Sequence, residues 1–151
     1  MLKFISQKLK EQKGLTLIEL LAVVVILGII AAIAIPSIGG LIDNSRKDAH
    51  VANATTMINS MKVYVTGDPD FTGTKTLKQM KDENLIDNFD SPDSEQYNET
   101  VSGVTVTKTG NTYKYTVRLQ TSVRGLWENE GEINRASVIT TGSLADPNVT
   151  P

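Results

Sequence analysis

The sequence predicts an α+β fold in which a long N-terminal helix carries a small antiparallel sheet against its C-terminal half. Three observations lead there. Residues 20–42 form an apolar run without one charged side chain. After Asp43 the pattern turns amphipathic, because Val51, Ala54, Ile58, Met61 and Val65 recur at three- and four-residue steps on one helix face. Farther on, residues 101–109 and 112–120 alternate apolar with polar side chains around Gly110-Asn111, a two-residue hairpin signal.

The apolar run comes first. In helical form its 23 residues span about 34 Å at about 1.5 Å per residue, enough to cross a bilayer core of about 30 Å. Within the first 14 residues Lys3, Lys8, Lys10 and Lys13 stand against Glu11 alone, whereas the chain after residue 42 carries 11 basic and 15 acidic side chains. This asymmetry keeps the N-terminus in the cytoplasm and sends the C-terminal part across the membrane. Ala31-Ala32-Ile33-Ala34 imitates a signal-peptidase site but lies inside the run, so ordinary secretory cleavage is the weaker expectation. Glu19 is the anomaly. A carboxylate at the head of such a run costs several kcal/mol, as an order of magnitude, if it enters lipid unpaired, which marks it as functional.

Lys13-Gly14-Leu15-Thr16-Leu17-Ile18-Glu19, followed by the apolar run, resembles the prepilin-peptidase signal of type IV pilins and pseudopilins. The likeness extends over residues 8–60. It implies cleavage after Gly14 and N-methylation of the new terminus Leu15, where the family more often has Phe or Met. Glu19 falls on the family's glutamate and Pro36 on its helix-bending proline. Cleavage would strand a free amine at Leu15 and a carboxylate at Glu19 in one apolar layer, and staggered neighbours in a filament can pair them. Read without the resemblance, Glu19 would sit wetted at headgroup level at the end of a signal anchor.

The remaining elements follow in chain order. The helix should continue to about residue 66, bend or melt locally near Gly28, Pro36, Gly39 and Gly40, and stop at Gly67. His50 reads as a surface or interface residue, and Met57 and Tyr64 as core edge. Asp68-Pro69-Asp70-Phe71-Thr72-Gly73 is a turn, although Asp68 and Asp70 are weak candidates for a Ca²⁺ site; no other cofactor is expected. Thr76-Leu77-Lys78-Gln79 is a capping box that opens a short helix over residues 76–84. This helix resembles, more faintly, the element after the long helix in competence and other Gram-positive pilins.

Residues 82–99 hold seven acidic and no basic side chains and read as a solvated loop. The hairpin turn sets Val106 opposite Tyr115 and Val104 opposite Val117. Gly125-Leu126-Trp127 should break the strand pattern, with Trp127 anchoring a loop to the core and Glu128, Glu130 and Glu132 in a solvated turn. Residues 136–141 could form a third strand, and residues 143–151 read as a flexible tail. The organisation expected is therefore a leader over 1–14, a transmembrane or filament-core helix over 15–42, and a head over 43–142.

With no cysteine, neither a disulfide nor a thiolate metal site can form, which within the family favours a Gram-positive relative. One histidine and no phosphate-binding loop leave no reactive constellation, so an enzyme is the least expected class. The resemblance implies a homo-oligomeric extracellular filament, made from a single-pass membrane precursor by prepilin peptidase, an assembly ATPase, a platform protein and minor pilins. Its use stays open among adhesion, twitching motility, DNA uptake and a secretion pseudopilin. The acidic head is not the footprint of strong direct DNA binding. A membrane-anchored extracellular binding domain that does not polymerise is the reading from another class.

Overall fold

The computed structural model describes the backbone of residues 2–140 and the side chains of residues 16–140. The tail expected over 143–151 and the last residue of the expected third strand, Thr141, lie outside the described residues. The chain forms two units, Met1–Ile42 and Asp43–Pro151. One helix, α1 (Leu2–Gly67), supplies all of the first unit's regular structure and continues into the second. It runs without interruption through Gly28, Pro36, Gly39 and Gly40, so the local melting expected there does not occur. Pro36 withdraws one backbone donor without ending the helix.

The head is an antiparallel meander laid on α1. Its strands are β1 (Gly73–Thr76), β2 (Gly103–Thr109), β3 (Thr112–Gln120), β4 (Arg124–Asn129) and β5 (Ile139–Thr140), in that spatial order. Between β1 and β2 stands α2 (Leu77–Asp82). Its capping box forms as read: the Gln79 amide donates to Thr76 Oγ1 at 3.2 Å and the Thr76 amide to Gln79 Oε1 at 2.9 Å. Asn84, in the left-handed region at φ 55°, follows its end.

The β2–β3 hairpin has the expected register, Val106 with Tyr115 and Val104 with Val117. Gly110 alone takes a positive φ, 62°, at the first turn position, the requirement of a type II′ turn. The inner face of the sheet contributes Val104, Val106, Tyr115, Val117, Leu119 and Leu126 to the core, α1 contributes Ala54, Met57, Ile58, Met61 and Val65, and α2 contributes Leu77 and Met80. Met57 is fully buried, so it is core and not core edge, while Tyr64 is partly buried against it.

Four expectations are corrected. β1 is a strand that the turn-rich residues before it concealed. Its Lys75 is buried, with Nζ 4.5 Å above the Tyr64 ring and bonded to both Glu83 oxygens at 2.6 and 2.7 Å. Residues 124–129 continue the sheet as β4, where Leu126 enters the core and Trp127 points to the other face. Trp127 there stacks on Arg118, its cross-strand partner, 4.4 Å from the ring centroid. Glu128 lies within this strand, half-buried, with its carboxyl held above the usual range by burial and by Glu132. Finally, the expected third strand is a 3-10 turn (Arg135–Ser137), capped by Asn134, followed by the two residues of β5.

Gly103 allows β1 and β2 their close approach, since a Cβ on it would lie 2.5 Å from the Lys75 carbonyl oxygen. Backbone cannot yield as a side-chain tip can. Gly103→Ala should therefore destabilise the head by about 1–3 kcal/mol, read as a lowered midpoint of thermal unfolding in the detergent-solubilised chain.

Candidate processing and assembly segment

Residues 16–42 of α1 present apolar side chains on every side. Sixteen large ones, from Leu17 at 67 % to Ile42 at 48 %, are exposed, and among the described residues none before His50 is buried. Covering a Leu, Ile or Val side chain is worth about 1.5–3 kcal/mol. The set therefore amounts to tens of kcal/mol, against a typical domain stability of about 5–15 kcal/mol. Water is not a tenable solvent for this segment. A helix apolar all round belongs in lipid or among other helices, and this one is long and apolar enough to cross a membrane.

Glu19 is the one charge in that surface. Its exposed carboxylate lies among Leu17, Ile18, Leu20 and Leu21 and has no ion-pair partner among the described residues. Gly14 and Leu15 fall one turn earlier on the same continuous helix, with side chains outside those described, and Pro36 lies four to five turns later. A family model for the prokaryotic N-terminal methylation motif matches residues 9–35. The chain carries a type IV prepilin-like signal. The matched segment contains Gly14, Leu15 and Glu19 and stops one residue before Pro36. In this segment the chain is similar to type IV pilin and pseudopilin precursors. No curated protein and no solved structure matches the chain.

The head of this prepilin-like chain has a polar interior that the sequence did not betray. His50 is 1 % exposed, which corrects its reading as a surface residue. Asn53 Nδ2 donates to the Tyr97 hydroxyl at 3.0 Å, Tyr97 donates to His50 Nδ1 at 2.7 Å, and His50 Nε2 donates to Asp93 Oδ2 at 3.0 Å. This assignment makes the imidazole neutral with its proton on Nε2. Arg124 Nε stands 3.1 Å from the same Asp93 oxygen, out of line for a hydrogen bond, and its terminal nitrogen bonds Asp43 at 2.9 Å. Part of the loop expected to be solvated is thus folded inward.

A hydroxyl, an imidazole and a carboxylate in series invite comparison with a catalytic relay, yet the side chains of Tyr97, His50 and Asp93 are all buried and the Tyr97 hydroxyl already lies between Asn53 and His50, out of reach of a substrate. The arrangement fixes the 87–97 loop to α1 and β4. At the opposite end of the helix, Asp70 is fully exposed and pairs with Lys108 at 3.2 Å; Lys108 and Tyr113 also occupy the Pro69 carbonyl at 2.7 and 2.6 Å. An ammonium stands where a cation at Asp68 and Asp70 would draw on the same oxygens. Among the described residues no three carboxylate or imidazole groups gather as metal ligands.

Burial holds the His50 pKa below its ordinary value of 6.5 despite Asp93, with Arg124 adding to the effect, and burial pushes the Tyr97 phenol up to about 12. The folded head therefore binds fewer protons at His50 than the unfolded chain does. The stability this contributes is present above about pH 6.5 and is lost as pH falls from there through the lowered folded value. The melting midpoint should accordingly decline with acidification between about pH 6.5 and 5, before most carboxylates titrate. His50→Gln, which leaves the chain without histidine, should remove that slope.

Proposed function

We propose that the chain is a pilin, the structural subunit of an extracellular type IV pilus-like filament that serves adhesion, twitching motility or DNA uptake. The precursor waits in the cytoplasmic membrane with its N-terminus in the cytoplasm. Prepilin peptidase cuts between Gly14 and Leu15 and methylates Leu15. An assembly ATPase and platform protein, with minor pilins, then move the helix from lipid into a fibre. The observation that carries this reading is the all-round apolar exposure of residues 16–42 with Glu19 as its one charge, inside a prepilin-like signal.

Three physical steps follow from that surface. Lipid covers it in the precursor, and neighbouring subunits must cover it outside, which supplies the burial that holds the fibre together. Glu19 cannot be covered without a counter-charge, and the amine freed at Leu15 on an adjacent subunit has the right sign and depth. Pro36, with Gly39 and Gly40 close behind, lowers the cost of unwinding the helix where crowding in the fibre demands it. The same signal also fits a secretion pseudopilin, which would differ in giving short fibres retained within the envelope.

Intact mass and N-terminal sequencing of sheared cell-surface material should give chains that begin at N-methylated Leu15; full-length chains confined to membranes would refute the proposal. Glu19→Ala should insert and be cleaved normally while fibre yield falls at least tenfold, a loss equivalent to about 1.4 kcal/mol or more per subunit contact. Gly14→Glu should accumulate as an uncut membrane precursor, scored by its slower gel migration.

A further inference from the structure

The outer face of the sheet carries a cation that no carboxylate answers. Arg118 projects there from β3 and lies flat on Trp127, and one terminal nitrogen donates to Gln120 Oε1 at 2.7 Å. Its Nε is shielded from solvent and has no hydrogen-bond partner. Among the described residues no acidic side chain pairs with it, although eight other Lys and Arg side chains of the head and its helix are so paired. Beside it lies a depression of about 180 Å³ lined by Thr74, Val101, Gly103, Thr105, Arg118 and Trp127. Gly103 lines it without a side chain and, with β1 so near, can have none.

The chemistry of this hollow suits a carboxylate. A guanidinium stacked on an indole has little rotamer freedom left to lose, so its donors are set before a ligand arrives. The Thr74 and Thr105 hydroxyls, 2.7 Å apart, can turn toward an acceptor at the rim. A shielded donor without a partner gains more from a charged oxygen than an exposed one would.

The chain itself holds the complementary surface. Asp87, Asp90 and Glu95 are exposed carboxylates with no ion pair among the described residues, on a loop whose backbone is held in place by His50 and Asn53. We propose that the Arg118–Trp127 hollow of one head receives the 87–95 acidic loop of a second copy. The contact is heterologous, one patch meeting a different one, which is the kind that propagates along an open helical array. It rests on the filament reading only in needing copies held close together.

The test uses the absence of cysteine. Full-length chains bearing Thr74→Cys and Asp90→Cys together should give an oxidation-dependent ladder on non-reducing gels, whereas either single variant can give at most a dimer. Arg118→Glu should reduce that ladder about tenfold or more, with Trp127 emission reporting whether the head is still folded, and Arg118→Gln should reduce it less. Adding Asp87→Lys and Glu95→Lys to Arg118→Glu should bring the ladder back. Fibres that form without a ladder would overturn the docking proposal and leave the filament reading standing. A ladder in membranes that yield no fibres would do the reverse, and neither product would sink both.

Discussion

A single helix must satisfy two environments, and the rest of the molecule is arranged around that demand. Up to Ile42 it has no wet face, and from Asp43 it has one dry face and one wet one. No break in the helix marks the change, for α1 continues through it. Side-chain chemistry alone divides the helix into two segments with different solvents. The sheet covers one stripe of the second segment, and the first needs lipid or other helices to cover it.

The head is fastened to its helix by two unlike means. Toward Gly67 the join is apolar: Met57, Ile58, Met61 and Val65 lie under the inner face of the sheet. Toward Asp43 it is polar, with His50 and Asn53 reaching the acidic loop and Asp43 and Asp48 reaching Arg124 and Arg135. The buried part of this join, Asp93 with His50 and Arg124, adds less to stability than well-packed apolar residues would, but it accepts only one register, because a displaced partner leaves a charge uncompensated. The helix is thereby held against sliding or turning beneath the sheet.

Local signals in the sequence were read well, and contacts that depend on a distant return of the chain were not. Gly110-Asn111 with its flanking alternation set the hairpin register, and Thr76 with Gln79 set the start of α2, since each rests on residues a few positions apart. The membrane-length run and the Gly14-Leu15…Glu19 pattern were equally plain, being linear. His50 was misread because its partners, Asp93 and Tyr97, come 43 and 47 residues later, in a loop whose composition looks fully solvated. Trp127 was misread because size argues for burial, whereas its parity in β4 assigns it to the outer face opposite Arg118. The brevity of β1 and β5, four and two residues, gives too little alternation to recognise a strand.

The polar join has a mechanical meaning as well. Tension along α1 arrives in the head at Asp43, where Arg124 holds that carboxylate, and one turn later Arg135 grips Asp48 through two bonds of 2.7 and 2.6 Å. Another half turn brings the pull to His50, whose loop is tied in turn to β4 through Arg124. These fastenings follow one another along the first two turns of the helix within the head. Exposed ion pairs contribute little at equilibrium, yet in this position they resist the start of a peel, so the hydrophobic seam behind them is not opened one residue at a time.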